Sequence, residues 1–440
     1  MENSLRTPTH DEETLLKKWQ LSTFFVCLVG YIGYYLCRKN LSAAVPLLSL
    51  EFGYSNTELG LIALYSEIAY AIGKFINGPL GDKIGGKKIF LLGMLGAIIC
   101  NFLFSIGSHL IYFILVWCLC RYFLSMGWGG LTKMIGHWYK PENNGTVMGL
   151  ISLSFQFGGV IATLFAAFIV SQGGGWRHVF IFPPIVLSII FIWAYFGSKD
   201  SPRDLIDDTN FGHSDDGKKA IVSKTMNKEN HENRPLDIIK DLLKLSIYRQ
   251  LLIYSFLTTF LRSIFFFWTP KLLVDIGMGT TNAILKSALF PLLGCIGTIF
   301  LGWYTDNHAK NGDRAKMMWI MLSGLVLSLL SISIIMTGEA FNKDIIVVLL
   351  GLCGLFLLGP YSMSSGCLTL DIAGPEAAGS STGLIDGLGY LGGALAVWSA
   401  GILSDQLGWA QVFMFLSFCA AIATFSAFMM SREFRKRAVI

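Results

Sequence analysis

The chain has 440 residues, of which 53% are hydrophobic and 14% charged, with a formal net charge of +5. Soluble proteins carry about a quarter of charged residues, so a soluble multidomain enzyme is all but excluded. Lys and Arg are scattered through short segments between apolar runs and build no single basic face, so a nucleic-acid surface is excluded as well.

Residues 1–18, MENSLRTPTHDEETLLKK, are polar and mixed in charge, and no small-residue cleavage site follows the first apolar run. The reading is a cytoplasmic N-terminal segment and a first helix that is retained. Apolar runs follow at about 19–49, 58–79, 89–107, 110–135, 146–171 and 178–197, then at 250–272, 283–304, 316–337, 345–371, 379–404 and 410–431. A membrane-crossing helix needs roughly 20 apolar residues, so these runs predict about twelve spans. The stretch 198–249 is too long and too hydrophilic to sit in lipid and splits the chain six plus six. The expected domains are therefore 1–18 as an N-terminal segment, 19–197 as a first six-helix bundle, 198–249 as a central loop, 250–431 as a second bundle and 432–440 as a tail.

With the N-terminus inside, one side collects Lys17, Lys18, Lys83, Lys87, Lys88, Lys140, the central loop, Lys310, Arg314, Lys316 and the tail, while the other holds little beyond Arg177 and Lys343. Short basic loops stay cytoplasmic, so both termini and the central loop are expected on that side of the cytoplasmic membrane. The nine cysteines lie mostly inside apolar runs without CxxC pairs, which predicts neither a disulfide framework nor a metal site. No HExxH, HxxxH or GxSxG pattern is present, so no catalytic group is expected and no cofactor is implied.

The loop after the second span reads GPLGDKIGGKK, residues 78–88. Its glycines suit a tight turn, and Asp82 can pair with a helix end or a basic partner and so latch one conformation, with Lys83 and Lys87 beside it. The GxxxxGK spacing within it is not a phosphate loop, because Lys88 stands where Ser or Thr should hold magnesium and a membrane helix precedes it. A shift of 224 superposes Gly78 on Gly302 and Asp82 on Asp306; a shift of 234 superposes Pro141, Glu142, Gly145, Gly149, Gly158 and Gly159 on Pro375, Glu376, Gly379, Gly383, Gly392 and Gly393. Two parallel six-helix halves resemble the arrangement of the major facilitator superfamily, in which substrate binds near the bilayer midplane. The fold class expected is an all-α membrane protein with about twelve transmembrane helices in two pseudo-symmetric bundles.

Arg38 lies within the first span and Arg262 within the seventh, also 224 residues apart. An Arg near the bilayer centre costs roughly 2.5 to 3.5 kcal/mol, so each requires a reason. Two planar, permanently charged guanidinium groups at equivalent positions describe an anion site suited to phosphate or carboxylate. The alternative is that each snorkels to a lipid interface or pairs with Glu67, Asp371 or Asp386. The Phe265–Phe267 run reads as lipid-facing and helix-packing surface, Trp128 as a packing element beside glycines, and Gly387, Gly389, Gly392 and Gly393 as a close-approach stripe. Tyr390, within that stripe, is a candidate cavity residue.

The segments YYLCRKNLSAAVP, LYSEIAYAIGKFINGPLGDK, MGWGGLTKMIGHWY, FLRSIFFFWTP and GLGYLGG resemble the organophosphate:inorganic phosphate antiporter family, over residues 20–430. That resemblance implies a phosphate held by Arg38 and Arg262, with Tyr31, Tyr35, Lys39, Tyr70 and Lys74 carried over by motif. It also implies exchange of a phosphate ester for inorganic phosphate without ATP or metal, by a chain functional as a monomer in the lipid bilayer. Phe155 stands where family members commonly carry a histidine, and Phe267 replaces a carboxylate of the glycerol-3-phosphate branch, which points away from glycerol as the organic moiety. Arg121, Lys286 and Asp386 have no counterpart in the family pattern; they can recognise a second anionic group, form ion pairs, or, with Glu67, couple to protons. Two other functions stay open: a proton-coupled carrier of another organic anion, and a transporter-like sensor of a sugar phosphate.

Overall fold

The computed structural model describes residues 9–139, 141–206, 242–308, 313–338, 341–364 and 367–437. They form fourteen α-helices and a single 3-10 turn at Pro202–Asp204. In chain order these are α1 (His10–Phe52), α2 (Asn56–Ile84), α3 (Gly86–Ser105), α4 (Leu110–Leu124), α5 (Met126–Trp138), α6 (Pro141–Ser171) and α7 (Trp176–Gly197), followed by α8 (Ser246–Asp275), α9 (Thr280–Ser287), α10 (Leu289–His308), α11 (Ala315–Met336), α12 (Lys343–Met363), α13 (Cys367–Leu407) and α14 (Trp409–Arg437).

Twelve segments are long and apolar enough to cross a membrane, as the apolar runs predict. Two of them are broken: α4 and α5 together make the fourth, Leu110–Trp138, and α9 with most of α10 makes the eighth, Thr280–Thr305. The tenth ends at Met363 and α13 opens at Cys367, so the expected tenth run to 371 overshoots its helix. Large apolar side chains stand outward along the spans, among them Phe75 and Ile111 at 72% exposure and Phe196 at 71%. Such surface is costly in water and neutral in hydrocarbon, which makes this a multi-pass membrane protein.

The described residues fall into two compact units. One comprises those of Met1–Asn40 and Ala69–Asn227, the other those of Leu41–Ile68 and Lys228–Ile440. The boundary runs through α1 and α2, whose adjoining halves belong to the second unit.

In the first unit, α3 packs on α4, α5 and α7. Its core is aromatic: Phe104 stacks on Phe180 at 4.1 Å and on Phe113 at 4.7 Å, with Trp117 and Trp176 edge-on. At the start of α3, a Cβ on Gly86 would lie 2.8 Å from the Gly130 carbonyl oxygen, so only glycine permits this approach of α3 to α5. Gly73 has the same role for α2, where an added Cβ would collide with Ser125 Oγ at the α4–α5 junction. Asn77 Nδ2 donates to Ser125 Oγ at 2.7 Å and fixes the register of that contact. Two turns before Asn77 on α2 and one turn before Ser125 on α4, Tyr70 and Arg121 meet.

In the second unit, α10 packs on α12, α11 on α14, and α13 on α8. Gly297 and Gly354 are pressed against the partner backbones at Leu355 and Phe290, a reciprocal small-residue contact. The Phe265–Phe267 run packs between helices as expected, with Phe265 turned inward: it is 3% exposed and stacks on Phe290 at 4.9 Å, Phe266 meets the same ring edge-on, and Phe266 and Phe267 are half-buried. Dispersion among these rings outweighs any gain from contact with lipid, which is no more apolar than the core it replaces.

The halves of α1 and α2 that belong to this unit are tied to it by polar bonds. Ser42 Oγ donates toward the Phe266 and Phe267 carbonyls, each at 2.9 Å. Asp405, at the end of α13, accepts from Asn56 N at 3.1 Å, Thr57 N at 2.7 Å and Thr57 Oγ1 at 2.6 Å. Asn56 Nδ2 also donates to Ser404 Oγ at 3.0 Å. Orphan N–H groups of the first turn of α2 are thereby capped from α13.

Candidate functional site

Tyr31, Tyr35 and Arg38 follow one another at spacings of four and three residues, so they share a face of α1. Tyr31 and Tyr35 are 5% and 6% exposed, and their rings meet edge-on at 5.7 Å. The Arg38 guanidinium carbon stands 5.4 Å from the Tyr35 ring centre and 4.7 Å from that of Tyr70, and Arg38 Nη1 donates to Tyr70 Oη at 3.3 Å. Lys74, one turn beyond Tyr70 on α2, brings its Nζ to 5.6 Å from the same ring. Arg121 of α4 is 3% exposed and puts its guanidinium carbon 4.4 Å from that ring.

Three cations from three helices therefore share one buried tyrosine. The two guanidinium carbons, each within 5 Å of one centroid, are at most about 9 Å apart. At an effective dielectric constant of about 20, like charges at that distance repel by about 2 kcal/mol. Cation–π attraction offsets part of this, and an anion placed among the three reverses its sign.

The aromatic wall continues from Tyr31 to Trp128 at 5.2 Å and from Trp128 to Phe155 at 6.5 Å. Trp128, expected as a packing element, does pack, but against the Tyr31 of the candidate site. Phe155, expected in place of a histidine, lies in this same wall. Gly127 makes room for it: a Cβ there would come within 2.9 Å of the Tyr34 ring and 3.2 Å of Tyr31.

In the second unit, Arg262 of α8 lies between two rings, 4.7 Å from the centre of Phe266 and 4.6 Å from that of Tyr361. Tyr361 of α12 was not foreseen. Its signal in the sequence is slight, a lone tyrosine after Pro360 inside an apolar run. The glycine stripe of α13 packs on α8 as expected: added Cβ atoms would meet Thr259 Oγ1 at 2.9 Å from Gly389 and Ser263 Oγ at 2.6 Å from Gly393. Asp386 and Tyr390 lie one turn apart on that helix, both half-buried. Lys39 is half-buried beside Arg38, and Glu67 half-buried one turn before Tyr70.

Lys286 is the residue that departs furthest from expectation. It bonds Asp344 at 2.5 Å, with both side chains substantially exposed, and so is no partner for Asp386. The sequence places Lys286 between two apolar stretches, but the break between α9 and α10 brings it to the exposed first turn of α12, where Asp344 stands.

The Asp82 and Asp306 side chains, expected as latches, lie outside the described residues. Lys83 is exposed. The expected loop over residues 78–88 shrinks to a turn at Gly85, with φ 94°, a backbone conformation that favours glycine; α2 runs on to Ile84 and α3 opens at Gly86. Lys87 is held at this turn: its backbone N donates to Asp200 Oδ1 at 2.7 Å and its Nζ to the Tyr195 and Ser198 carbonyls at 2.8 and 2.6 Å. Asp200 was not anticipated and gives the first turn of α3 its cap. In the second half the corresponding carboxylate is Asp313, which accepts from Ser431 Oγ at 2.7 Å, Arg435 Nε at 3.2 Å and Lys316 N at 3.0 Å.

Twelve apolar spans, a tight turn at Gly85 and arginines bedded on aromatic rings within the spans define a multi-pass membrane protein of the transporter class. The sequence profile of the Major Facilitator Superfamily matches residues 27–397, and the chain belongs to that superfamily. It is 26% identical to a probable hexose phosphate transport protein of Chlamydia trachomatis, over 92% of this chain and 90% of that one. It is 28% identical to the glycerol-3-phosphate transporter of Bacillus subtilis, over 93% and 92%, and 24% identical to the membrane sensor protein UhpC of Escherichia coli, over 95% and 93%. These relatives bear out the resemblance to organophosphate:inorganic phosphate antiporters. Among solved structures, an inward-facing, unoccupied bacterial homolog of the human lysosomal transporter Spinster superposes with a TM-score of 0.74 at 14% identity, covering 98% of this chain and 99% of that one. A D-xylose-proton symporter does so at 0.70 and 14%, covering 94% and 97%. At these identities the likeness is one of fold alone.

Proposed function

We propose that the chain exchanges an organic phosphate ester for inorganic phosphate across the cytoplasmic membrane by alternating access of two six-helix halves. The observation that carries this reading is the convergence of Arg38, Lys74 and Arg121 on the ring of Tyr70, which concentrates positive charge on a low-dielectric aromatic wall. Arg38 and Arg262 hold one phosphoryl group, Arg38 from the N-terminal half and Arg262 from the C-terminal half. Each lies against two aromatic rings, and a planar guanidinium is suited to paired hydrogen bonds with a phosphoryl group. Phe155 and Phe267 give the organic moiety a less polar environment than a glycerol phosphate requires.

In this mechanism, binding of the phosphoryl group lowers the barrier to interconversion, so loaded carriers cycle and empty ones do so slowly. The turn at Gly85 and the contacts of Lys87 with Asp200 stabilise one of the two states. Both termini and the central loop are cytoplasmic, from the distribution of Lys and Arg, and the monomer is the functional unit. The test is exchange of labelled phosphate by purified protein in proteoliposomes. Trans-stimulation by internal phosphate or phosphate esters supports the reading. Phosphate binding without turnover assigns the chain instead to ligand sensing, the role named in its relative UhpC.

A further inference from the structure

Arg121 is 3% exposed, and the packing of α2 on α4 places it on the ring that Arg38 contacts. Asn77 and Ser125 fix that packing with a 2.7 Å hydrogen bond, and Gly73 permits it. The ring therefore has Arg121 at 4.4 Å and Arg38 at 4.7 Å, while its hydroxyl accepts from Arg38. A guanidinium bedded on a ring restricts that ring's rotation, and the ring in turn orients the arginine that its hydroxyl holds.

Resting on the exchange reading above, we infer that Arg121 is a positioning residue of the anion site. It acts through Tyr70 to hold Arg38 in place and adds a third positive charge that tightens binding of the phosphoryl dianion. Arg121 itself need not touch substrate: it is nearly inaccessible, and Tyr70 is the element it shares with Arg38. A purely structural arginine would support the helix packing alone, and its replacement would alter the amount of folded protein but not the affinity of what remains.

The experiment is equilibrium binding of labelled inorganic phosphate to the purified full-length chain, with half-saturation and maximal rate of exchange measured in parallel. Removing one positive charge about 9 Å from a bound anion weakens its binding by about twentyfold for each unit of negative charge at an effective dielectric constant of about 20. Arg121→Gln is expected to raise the half-saturating phosphate concentration by at least that factor with little change in maximal rate, and Arg121→Lys to restore most of the affinity. Tyr70→Leu, which removes the shared ring and no cation, is expected to weaken binding to a similar extent, and Arg121→Gln added to it to have a smaller effect than in the parent. Wild-type affinity in either Arg121→Gln or Tyr70→Leu overturns the inference, as does failure of Arg121→Lys to restore affinity or strict additivity of the two changes. If the wild-type chain binds no phosphate at all, the exchange reading falls and takes this inference with it.

Discussion

Replacing Asp405 by Ala removes the acceptor for two backbone N–H groups and one hydroxyl at the start of α2, leaving the Asn56–Ser404 hydrogen bond as the polar tie between these helix ends. Loss of an N-cap costs about 0.5–2 kcal/mol, and loss of a negative charge at a helix N-terminus about 0.3–1 kcal/mol. Asp405 is exposed, so water recovers part of this and about 1 kcal/mol remains, a shift of about fivefold in the ratio of clamped to released α2. The shift is readable at Ala63, which lies two turns into α2 from its start and is 4% exposed. An Ala63→Cys variant, set against the parent's own cysteines as background, should react with a membrane-impermeant maleimide about fivefold faster once Asp405→Ala is added. Asp405→Asn, which keeps one acceptor oxygen, should fall between. An unchanged or slower reaction would refute the reasoning, because the cap would then contribute nothing to holding α2 on the second unit.

Arg38→Lys and Arg262→Lys should each abolish phosphate exchange while leaving membrane expression intact, since Lys keeps the charge and loses the paired donors; near-normal uptake in both would make the arginines structural. Asp82→Asn should slow cycling and preserve phosphate affinity, as expected of a latch remote from the anion site, and Asp200→Asn, which weakens the cap on Lys87 N, should act in the same direction. Single-turnover and steady-state exchange together separate that outcome from loss of binding. Asp386→Asn should alter substrate preference or folding without changing the pH dependence of exchange; loss of pH-driven accumulation with exchange intact would instead mark it as a proton carrier.

Much of this architecture is legible in the sequence because it is encoded locally. The twelve spans follow from the length and apolarity of each run, and the equivalence of Arg38 with Arg262 follows from a constant offset. Tyr31, Tyr35 and Arg38 share a face because they are four and three residues apart. What escaped the sequence depends on contacts between distant segments. Arg121 meets Tyr70 across 51 residues through a register that Gly73, Asn77 and Ser125 set together, and no periodicity records that register. Asp405 caps Asn56 across 349 residues, and a carboxylate near the end of one apolar run carries no mark of the helix it caps. Lys286 lies in otherwise apolar sequence that names no ion-pair partner, and the break after Ser287 brings it to Asp344. The inward turn of Phe265 is illegible for a different reason: a phenylalanine that packs in a membrane protein core and one that faces lipid have the same transfer energy, so hydropathy does not separate them.

The measurement that tests the central claim most directly is uptake of labelled phosphate by proteoliposomes containing the purified chain, with and without phosphate inside and with and without an imposed pH gradient. The account predicts uptake that requires internal phosphate or a phosphate ester, is indifferent to the gradient and is lost in Arg38→Lys. Uptake that needs the pH gradient and proceeds equally well into phosphate-free vesicles would contradict it.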